Sequence, residues 1–206
     1  MNSFCAVAGW NSDTPSNVSL VVQDWGGLLG LTLPMDMPGV FSRLIVMNTA
    51  LGTGDGPLGE GFLAWRAFSN SKPDLDVAAL MRRSVPALLA QEAGAYAAPF
   101  PDARYKAGVR RFPNLVPDHP DADGADGAVL SRLARQWWST QWQGETFMAV
   151  GMKDPVLGPA AMARLRTQIR GCPAPFEIDD AGHFVQESGE VVARAALAAM
   201  QPRPGA

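Results

Sequence analysis

The sequence predicts an α/β fold in which a mostly parallel sheet is flanked by helices. Two short, mainly apolar runs at residues 18–22 and 43–47 have the length of strands and are bounded by turn-forming residues. Continuous runs of this kind indicate strands buried on both faces, and such strands are typically parallel with helices outside. Helix-like stretches lie between the runs, so the chain alternates strand and helix as a parallel sheet requires.

The composition is that of a folded domain that binds neither nucleic acid nor membrane. The 206 residues are 47% hydrophobic, carry a net charge of −3 and contain no basic block, which argues against a nucleic-acid partner. No apolar run is long enough to span a bilayer. Residues 1–14 have no Lys or Arg and lack the order of a signal peptide, which favours a cytoplasmic location. Cys5 and Cys172 lack metal-ligand spacing, and we interpret both as reduced structural thiols.

The apolar pattern divides the chain into a discontinuous α/β part and an intervening helical part. Residues 1–50 and 143–206 carry the strand signals, and residues 51–142 carry helical stretches with no convincing strand. We interpret residues 51–142 as a helical cap inserted into the α/β domain and call it the helical insert. Residues 3–10 resemble the end of a helix, and the Pro/Asp-rich residues 117–124 a solvated loop. Further strands are predicted at 146–152 and 176–178, and helices at 28–33, 77–89, 129–142, 160–169 and 191–200.

Residues 21–27, Val-Val-Gln-Asp-Trp-Gly-Gly, predict a sharp turn between a strand and a helix. This context is that of a nucleophile elbow, which holds one side chain at the carboxyl end of a strand in a strained backbone conformation. We expect Gly26 to supply the small neighbour that such strain needs. The apex residue is Asp24, and a carboxylate there would displace a leaving group from carbon and form an ester. The alternative is an ordinary turn in which Asp24 caps the helix.

Three chemically active residues, Asp24, Asp154 and His183, each follow a predicted strand. Sites in open α/β sheets form at this edge, and the order nucleophile, acid, histidine is that of α/β-hydrolases. A histidine beside an ester activates water, and a carboxylate on its other ring nitrogen fixes the tautomer and stabilises the imidazolium. Taken singly, each aspartate also fits a turn residue and the histidine a surface residue. His119 is the competing histidine, but its Pro/Asp-rich setting indicates a surface position.

Six tryptophans are present, and two lie where they would serve a leaving group. Trp25 directly follows the elbow apex, so its backbone N–H can face a developing oxyanion, and its indole N–H suits a halide. Trp65, at the start of the helical insert, could aim a second indole into the same pocket. For Trp137, Trp138 and Trp142 ordinary packing is the favoured interpretation.

Five segments together resemble haloalkane dehalogenases, and the resemblance extends over residues 18–200. The segments are 20–27 (LVVQDWGG), 61–65 (GFLAW), 95–102 (AYAAPFPD), 151–154 (GMKD) and 180–187 (DAGHFVQE). The most similar branch is the one whose catalytic acid follows the strand after the cap. The resemblance implies an α/β-hydrolase fold with an inserted helical cap and with no metal or organic cofactor.

By this resemblance Asp24 is the nucleophile, His183 the base and Asp154 its carboxylate partner. Trp25 and Trp65 would bind the halide. The implied reaction converts a small haloalkane to an alcohol and a halide ion through an aspartyl ester. The apolar pocket for the alkyl chain would be lined by Phe62, Phe112, Pro113, Val116, Val156 and Leu157.

The chain departs from the family pattern before the elbow. The family has further strands and a His-Gly-x-Pro loop there, and that loop supplies the second oxyanion donor; residues 1–18 contain neither. We therefore expect an N-terminally shortened member, with the nucleophile strand at a sheet edge and a tendency to self-associate. Residues 49–61 are also shorter and more Gly-rich than in the family, and Leu28 stands where an aromatic residue is common.

Two other functions stay open. Epoxide hydrolases share the aspartate nucleophile and the histidine–acid pair, and they open the epoxide ring with cap tyrosines, for which this chain has only Tyr96 and Tyr105. The second is an inactive, shortened chain, or half of a complementing pair. A serine esterase is disfavoured because no G-x-S-x-G sequence occurs at the elbow.

Overall fold

The computed structural model describes residues 18–119 and 125–200, and these residues form a four-stranded parallel sheet covered by helices. The strands are β1 (Val18–Gln23), β2 (Phe41–Met47), β3 (Glu145–Gly151) and β4 (Phe176–Ile178), in the spatial order β1-β2-β3-β4. Each neighbouring pair is parallel, so the carboxyl ends of all four strands lie at the same edge. The predicted α/β class with a mostly parallel sheet is confirmed, and each strand lies within two residues of its predicted range.

The helices of the described residues flank the sheet and fill the helical insert. Between β2 and β3 every regular element in the described part of the chain is helical, whereas the boundaries of the helical insert at 51 and 142 stay a prediction. Two single 3₁₀ turns occur at Phe112–Leu115 and Val185–Ser188. The α-helices are α1 (Trp25–Gly30), α2 (Leu33–Asp36), α3 (Glu60–Ser71), α4 (Val77–Ser84), α5 (Ala90–Ala97), α6 (Ala107–Arg111), α7 (Ala125–Thr140), α8 (Pro159–Gln168) and α9 (Gly189–Ala199).

Three helix predictions differ from the structure by three or more residues. α7 begins at Ala125 rather than at residue 129. α1 begins at Trp25 rather than at residue 28, because the carbonyl of Asp24 already accepts the N–H groups three and four residues ahead. The helix predicted at 77–89 ends at Ser84 as α4, and the next helix, α5, begins at Ala90, beyond the predicted range. Pro86 lacks an N–H and disfavours helical geometry at the residue before it, and Val85 has φ −131° and ψ 85°.

The sheet is buried on both faces, as its continuous apolar strands predict. On one face Leu44 and Val46 of β2 belong to a large cluster with Trp138 of α7 and Met162 of α8. On the other face the neighbouring residues of β2 and β3 pack against α9, through a second cluster centred on Met47, Phe147, Ala149, Val185, Val192 and Ala196. Successive side chains of a strand point to opposite faces, so the two clusters are the two sides of one sheet.

β1 lies at one edge of the described sheet, where the sequence places the nucleophile strand. It pairs with β2 in the described residues, and the side chain of Val21 is 57% exposed although the strand composition is that of a central strand. The tendency to self-associate that such an edge implies stays a prediction.

Some sequence predictions fall on residues that the structure does not describe, namely Cys5, the helical end at 3–10 and most of the solvated loop at 117–124. Cys172 is described, and it packs against the larger core cluster as a structural thiol would. Within residues 18–119 and 125–200, no helix combines the length and the apolar character that crossing a membrane requires.

Candidate active site

The turn after β1 is a strained elbow with Asp24 at its apex. Asp24 has φ 46° and ψ −123°, and it is the one non-glycine residue with a positive φ in the described part of the chain. Strain of this kind costs about 1–3 kcal/mol and persists only where neighbours fix the backbone. Here the Asp24 N–H donates to the Asn48 carbonyl at 3.0 Å, and the Thr49 hydroxyl donates to the Asp24 carbonyl at 2.7 Å. The residues that follow β2 therefore hold both the N–H and the carbonyl of Asp24.

Gly27, not Gly26, is the glycine that the elbow requires. A Cβ atom on Gly26 would meet nothing within 4 Å, so the sequence prediction that Gly26 supplies the space is wrong. A Cβ on Gly27 would lie 2.0 Å from the Thr49 hydroxyl oxygen, and one on Gly30 would lie 2.8 Å from Val22. The first turn of α1 thus approaches β2 through Gly27.

His183 lies between the two aspartates that the sequence analysis selected. Its Nδ1 is 2.9 Å from Asp154 Oδ2, and its Nε2 is 3.6 Å from Asp24 Oδ1. Because the three residues follow β1, β3 and β4, the common carboxyl edge of the sheet brings them together although they are far apart in sequence. His119, the competing histidine, has a side chain that is 62% exposed and lies 3.7 Å from the neighbouring Asp118.

The Asp154 carboxylate is fully buried and has three donors. One oxygen accepts from both His183 and the Asn48 side-chain amide, at 2.9 and 2.8 Å, and the other accepts the Val156 N–H at 2.8 Å. Burial by itself would raise the pKa of Asp154, but the hydrogen bond and charge of His183, with those of Asn48 and Val156, lower it below its ordinary value. Asp154 therefore stays ionised in the interior, which suits it to orient an imidazole.

Two carboxylates act on the same imidazole. Burial by itself would lower the pKa of His183, but the hydrogen bonds and charges of Asp154 and Asp24 raise it to about 9. At neutral pH the ring is therefore an imidazolium. Removing the charge of either carboxylate would bring the pKa of His183 down again.

The tryptophans differ in the partners of their indole N–H groups. Trp138 and Trp142 donate their indole N–H groups to Leu31 O and Thr146 Oγ1, at 2.7 and 2.9 Å, and both belong with Trp137 to the core cluster. In the described residues the indole N–H groups of Trp25 and Trp65 have no such partner. The backbone N–H of Trp25 is likewise without a hydrogen bond among residues 18–119 and 125–200.

The residues predicted to line an apolar pocket lie around the elbow and the Asp154 turn to different extents. Phe112 stacks edge-to-face on Trp25 with ring centroids 4.7 Å apart, and Pro113 beside it is buried. α3, which carries Phe62 and Trp65, starts against the Asp154 turn, since a Cβ on Gly61 would lie 2.0 Å from the Pro155 carbonyl oxygen.

The other predicted lining residues differ in their surroundings. The Phe62 ring also lies 5.7 Å from the guanidinium of Arg66. Val116 and Leu157 are half-buried. Two surface grooves of about 470 and 640 Å³ lie elsewhere, one between α7 and α8 and the other between β3 and α8, and neither contains a predicted site residue.

Three polar residues without a predicted role join these parts. Asn48 is fully buried and bridges to Gly151 in both directions, with Nδ2 donating to the Gly151 carbonyl at 3.2 Å and Oδ1 accepting its N–H at 2.8 Å. Thr49 holds the elbow, and Gln23 donates to the His183 carbonyl. The available signal was positional, because Asn48 and Thr49 directly follow a buried strand, at the edge where Asp24 and Asp154 lie.

Metal-binding clusters are not part of the described site. Within the two described ranges, no three His, Cys, Asp or Glu side chains lie where they could share a metal ion.

A parallel sheet that gathers an aspartate elbow, a buried acid and a histidine at its carboxyl edge has the architecture of an α/β-hydrolase.

The chain belongs to the α/β-hydrolase fold family, whose model matches residues 14–190. It is 39% identical over 183 residues to a haloalkane dehalogenase of Psychrobacter cryohalolentis. The alignment covers 87% of this chain and 59% of that relative. A haloalkane dehalogenase of Mycolicibacterium paratuberculosis is 36% identical over 176 residues, covering 84% of this chain and 56% of the relative.

A solved structure shows the same similarity. The haloalkane dehalogenase DpaA from Paraglaciecola agarilytica NO2 superposes with a TM-score of 0.85 at 49% identity, covering 90% of this chain and 61% of that chain. The predicted resemblance to haloalkane dehalogenases is therefore confirmed. The chain spans about three fifths of the length of these relatives.

Proposed function

We propose that this chain carries the chemistry of a hydrolytic dehalogenase, which converts a small haloalkane and water to an alcohol, a halide ion and a proton. The observation that carries the proposal is the placement of one imidazole between two carboxylates. Nδ1 is 2.9 Å from the buried Asp154, and Nε2 is 3.6 Å from the strained Asp24. The named activity of the relatives supports the same chemistry.

In the first step an oxygen of Asp24 attacks the carbon that bears the halogen. The carbon–oxygen bond forms as the carbon–halogen bond breaks, the bonding pair leaves with the halide, and an alkyl ester of Asp24 results. The indole N–H groups of Trp25 and Trp65 donate to the departing halide, since neither has a protein partner in the described residues. Phe112, which stacks on Trp25, provides apolar surface for the alkyl chain.

The second step depends on a change in the charge around His183. Ester formation neutralises Asp24, one of the two carboxylates that raise the pKa of His183 to about 9. The pKa then falls, the imidazolium releases its Nε2 proton, and Nε2 becomes able to accept a proton from water. The resulting hydroxide attacks the ester carbonyl carbon, and the oxyanion accepts the Trp25 N–H. The bond to the alkoxide then breaks, and the alkoxide takes the proton of the added hydroxyl and leaves as the alcohol. Asp24 is regenerated as a carboxylate, and His183 keeps the other water proton as an imidazolium.

This reaction needs no metal or organic cofactor, and its partners are a small halogenated alkane and the halide product. The remaining expected properties are part of the proposal: the helical insert acts as a cap over the site, the pocket includes Phe62, Pro113, Val116, Val156 and Leu157, and the protein is cytoplasmic.

Halide release from 1,2-dibromoethane tests the proposal directly. The chain should release bromide, and Asp24→Asn, which keeps the shape of the apex but is a poor nucleophile, should release none. His183→Gln should perform the first step and stop there, so its intact mass should increase by one bromoethyl group. A folded wild-type chain that neither releases bromide nor gains mass in the His183→Gln form would refute the dehalogenase function.

An epoxide hydrolase is the second function with an aspartate nucleophile, and the tyrosines argue against it. The Tyr96 hydroxyl donates to Glu187, and the Tyr105 side chain is 59% exposed. The two tyrosine hydroxyls are therefore not paired over Asp24. Diol formation from a terminal epoxide without bromide release from the dihaloalkane would favour this alternative, and inertness towards both substrates would indicate an inactive chain.

A further inference from the structure

Gln23 connects the strand that carries the nucleophile to the loop that carries the base. It is the last residue of β1 and is directly followed by Asp24. Its side-chain amide Nε2 donates to the main-chain carbonyl of His183 at 2.9 Å, across 160 positions of sequence. The same carbonyl also accepts the Val185 N–H at 3.0 Å. The residue that makes this hydrogen bond is therefore the direct neighbour of the proposed nucleophile in the chain.

The two ends of this contact differ in how firmly they are held. Gln23 lies in the ladder of β1 with β2, opposite Met47, so its backbone is fixed by the sheet. His183 lies between β4 and the 3₁₀ turn at Val185–Ser188, in a stretch without regular secondary structure. Asp154 contacts the imidazole ring through Nδ1, and the Gln23 amide contacts the His183 main chain itself. The Lys153 N–H holds the same loop two residues earlier, at the Ala181 carbonyl.

We propose that Gln23 is a positioning residue that fixes the distance between His183 Nε2 and the Asp24 carboxyl group during ester hydrolysis. The inference rests on the proposed function. A base acts through one water only if its nitrogen stays within hydrogen-bond reach of that water, and small displacements of reacting groups slow reactions severely. Gln23 contacts neither substrate nor water in this role and acts through His183.

The two steps of the reaction should respond differently to the loss of this hydrogen bond. Halide displacement uses the oxygen of Asp24 and the tryptophan donors, and His183 takes no part in it. Hydrolysis needs Nε2 in place. One lost hydrogen bond of ordinary net strength corresponds to about a tenfold slower hydrolysis, with the displacement rate unchanged. The covalent ester should then accumulate in the steady state.

Rapid mixing with 1,2-dibromoethane, followed by acid quenching and intact mass measurement, separates the two steps. Gln23→Met keeps an unbranched side chain of similar length without a donor, and Gln23→Glu keeps the shape with an acceptor in place of the donor. We expect a bromide burst at the wild-type rate, about tenfold slower turnover and an enlarged bromoethyl–enzyme fraction. Ser19→Ala, on the same face of β1 and exposed, is the matched control and should leave both steps unchanged.

Each outcome decides the inference. Ester accumulation in either folded variant supports it, with folding checked by the urea midpoint. Bromide release by the wild type with no ester accumulation in the variants, or with both steps slowed equally as a merely structural role predicts, overturns the inference and leaves the proposed function intact. Absence of bromide release from the folded wild type overturns the proposed function and the role of Gln23 with it.

Discussion

Replacing Gly27 by alanine should detach the elbow from the end of β2, whereas the same change at Gly26 should not. The new Cβ at position 27 would lie 2.0 Å from the Thr49 hydroxyl oxygen, 2.5 Å from its Cγ2 and 2.6 Å from its Cβ. Thr49 is fully buried and donates to the Asp24 carbonyl, so it has no room to turn away without losing that hydrogen bond. A Cβ at position 26 meets nothing within 4 Å.

The expected free energies follow from these contacts. Overpacking a buried contact costs about 1–3 kcal/mol, and the lost Thr49 hydrogen bond about 1 kcal/mol. Alanine in place of glycine within a helix returns about 1 kcal/mol. Gly27→Ala should therefore lower the free energy of unfolding by about 1–3 kcal/mol, and Gly26→Ala should raise it by up to about 1 kcal/mol.

Urea unfolding followed by tryptophan fluorescence measures both changes, and an unaltered slope with denaturant keeps the comparison valid. Thr49→Ala removes the two atoms closest to the new Cβ, so combining it with Gly27→Ala should cost less than the sum of the single changes. Equal unfolding midpoints for Gly26→Ala and Gly27→Ala would refute the view that the elbow is held by this close approach.

Two further predictions use the titrating groups. Because the pKa of His183 is raised to about 9, its stabilisation is complete below its ordinary pKa of about 6.5 and is lost as the pH rises through the raised value. Up to about 3 kcal/mol of unfolding free energy should disappear between about pH 6.5 and 9, and His183→Gln, measured alongside, should lack this loss. Burial raises the pKa of Cys172 to about 11, against a smaller opposing effect of Arg166. In a Cys5→Ser chain the remaining thiol should therefore react with a disulfide reagent at pH 8 at least about tenfold more slowly than an exposed cysteine, and urea should abolish the difference; a fast folded-state reaction would contradict this.

The positions of Asp24, Asp154 and His183 were predictable because one geometric rule covers them. Continuous apolar runs identify parallel strands, and residues that directly follow parallel strands meet at one edge of the sheet. The rule needs no knowledge of side-chain conformation. It succeeded even for His183, which lies five residues beyond β4, because the carboxylates that face it had been located by the same rule.

Contacts that depend on the phase of a helix or on distant side chains were not predictable in this way. Gly26 and Gly27 are adjacent and chemically identical, and only the rotation of α1 about its axis decides which of them faces β2. The partner of Gln23 is a main-chain carbonyl 160 residues away, and no local pattern marks it. The end of α4 at Ser84, by contrast, is marked in the sequence by Pro86, although the apolar periodicity continues to residue 89.

The order of the strands explains why the base comes from a loop rather than from the sheet. The nucleophile follows β1 and the acid follows β3, with β2 between them. Neighbouring strands are about 4.8 Å apart, so the two carboxylates stand about two spacings from each other, too far for direct contact. Distances of 2.9 and 3.6 Å to the two ring nitrogens, together with the width of one imidazole, span that gap. Asn48 and Thr49, which follow β2, already occupy the space between the ends of β1 and β3. The imidazole ring therefore reaches the gap from the loop after β4.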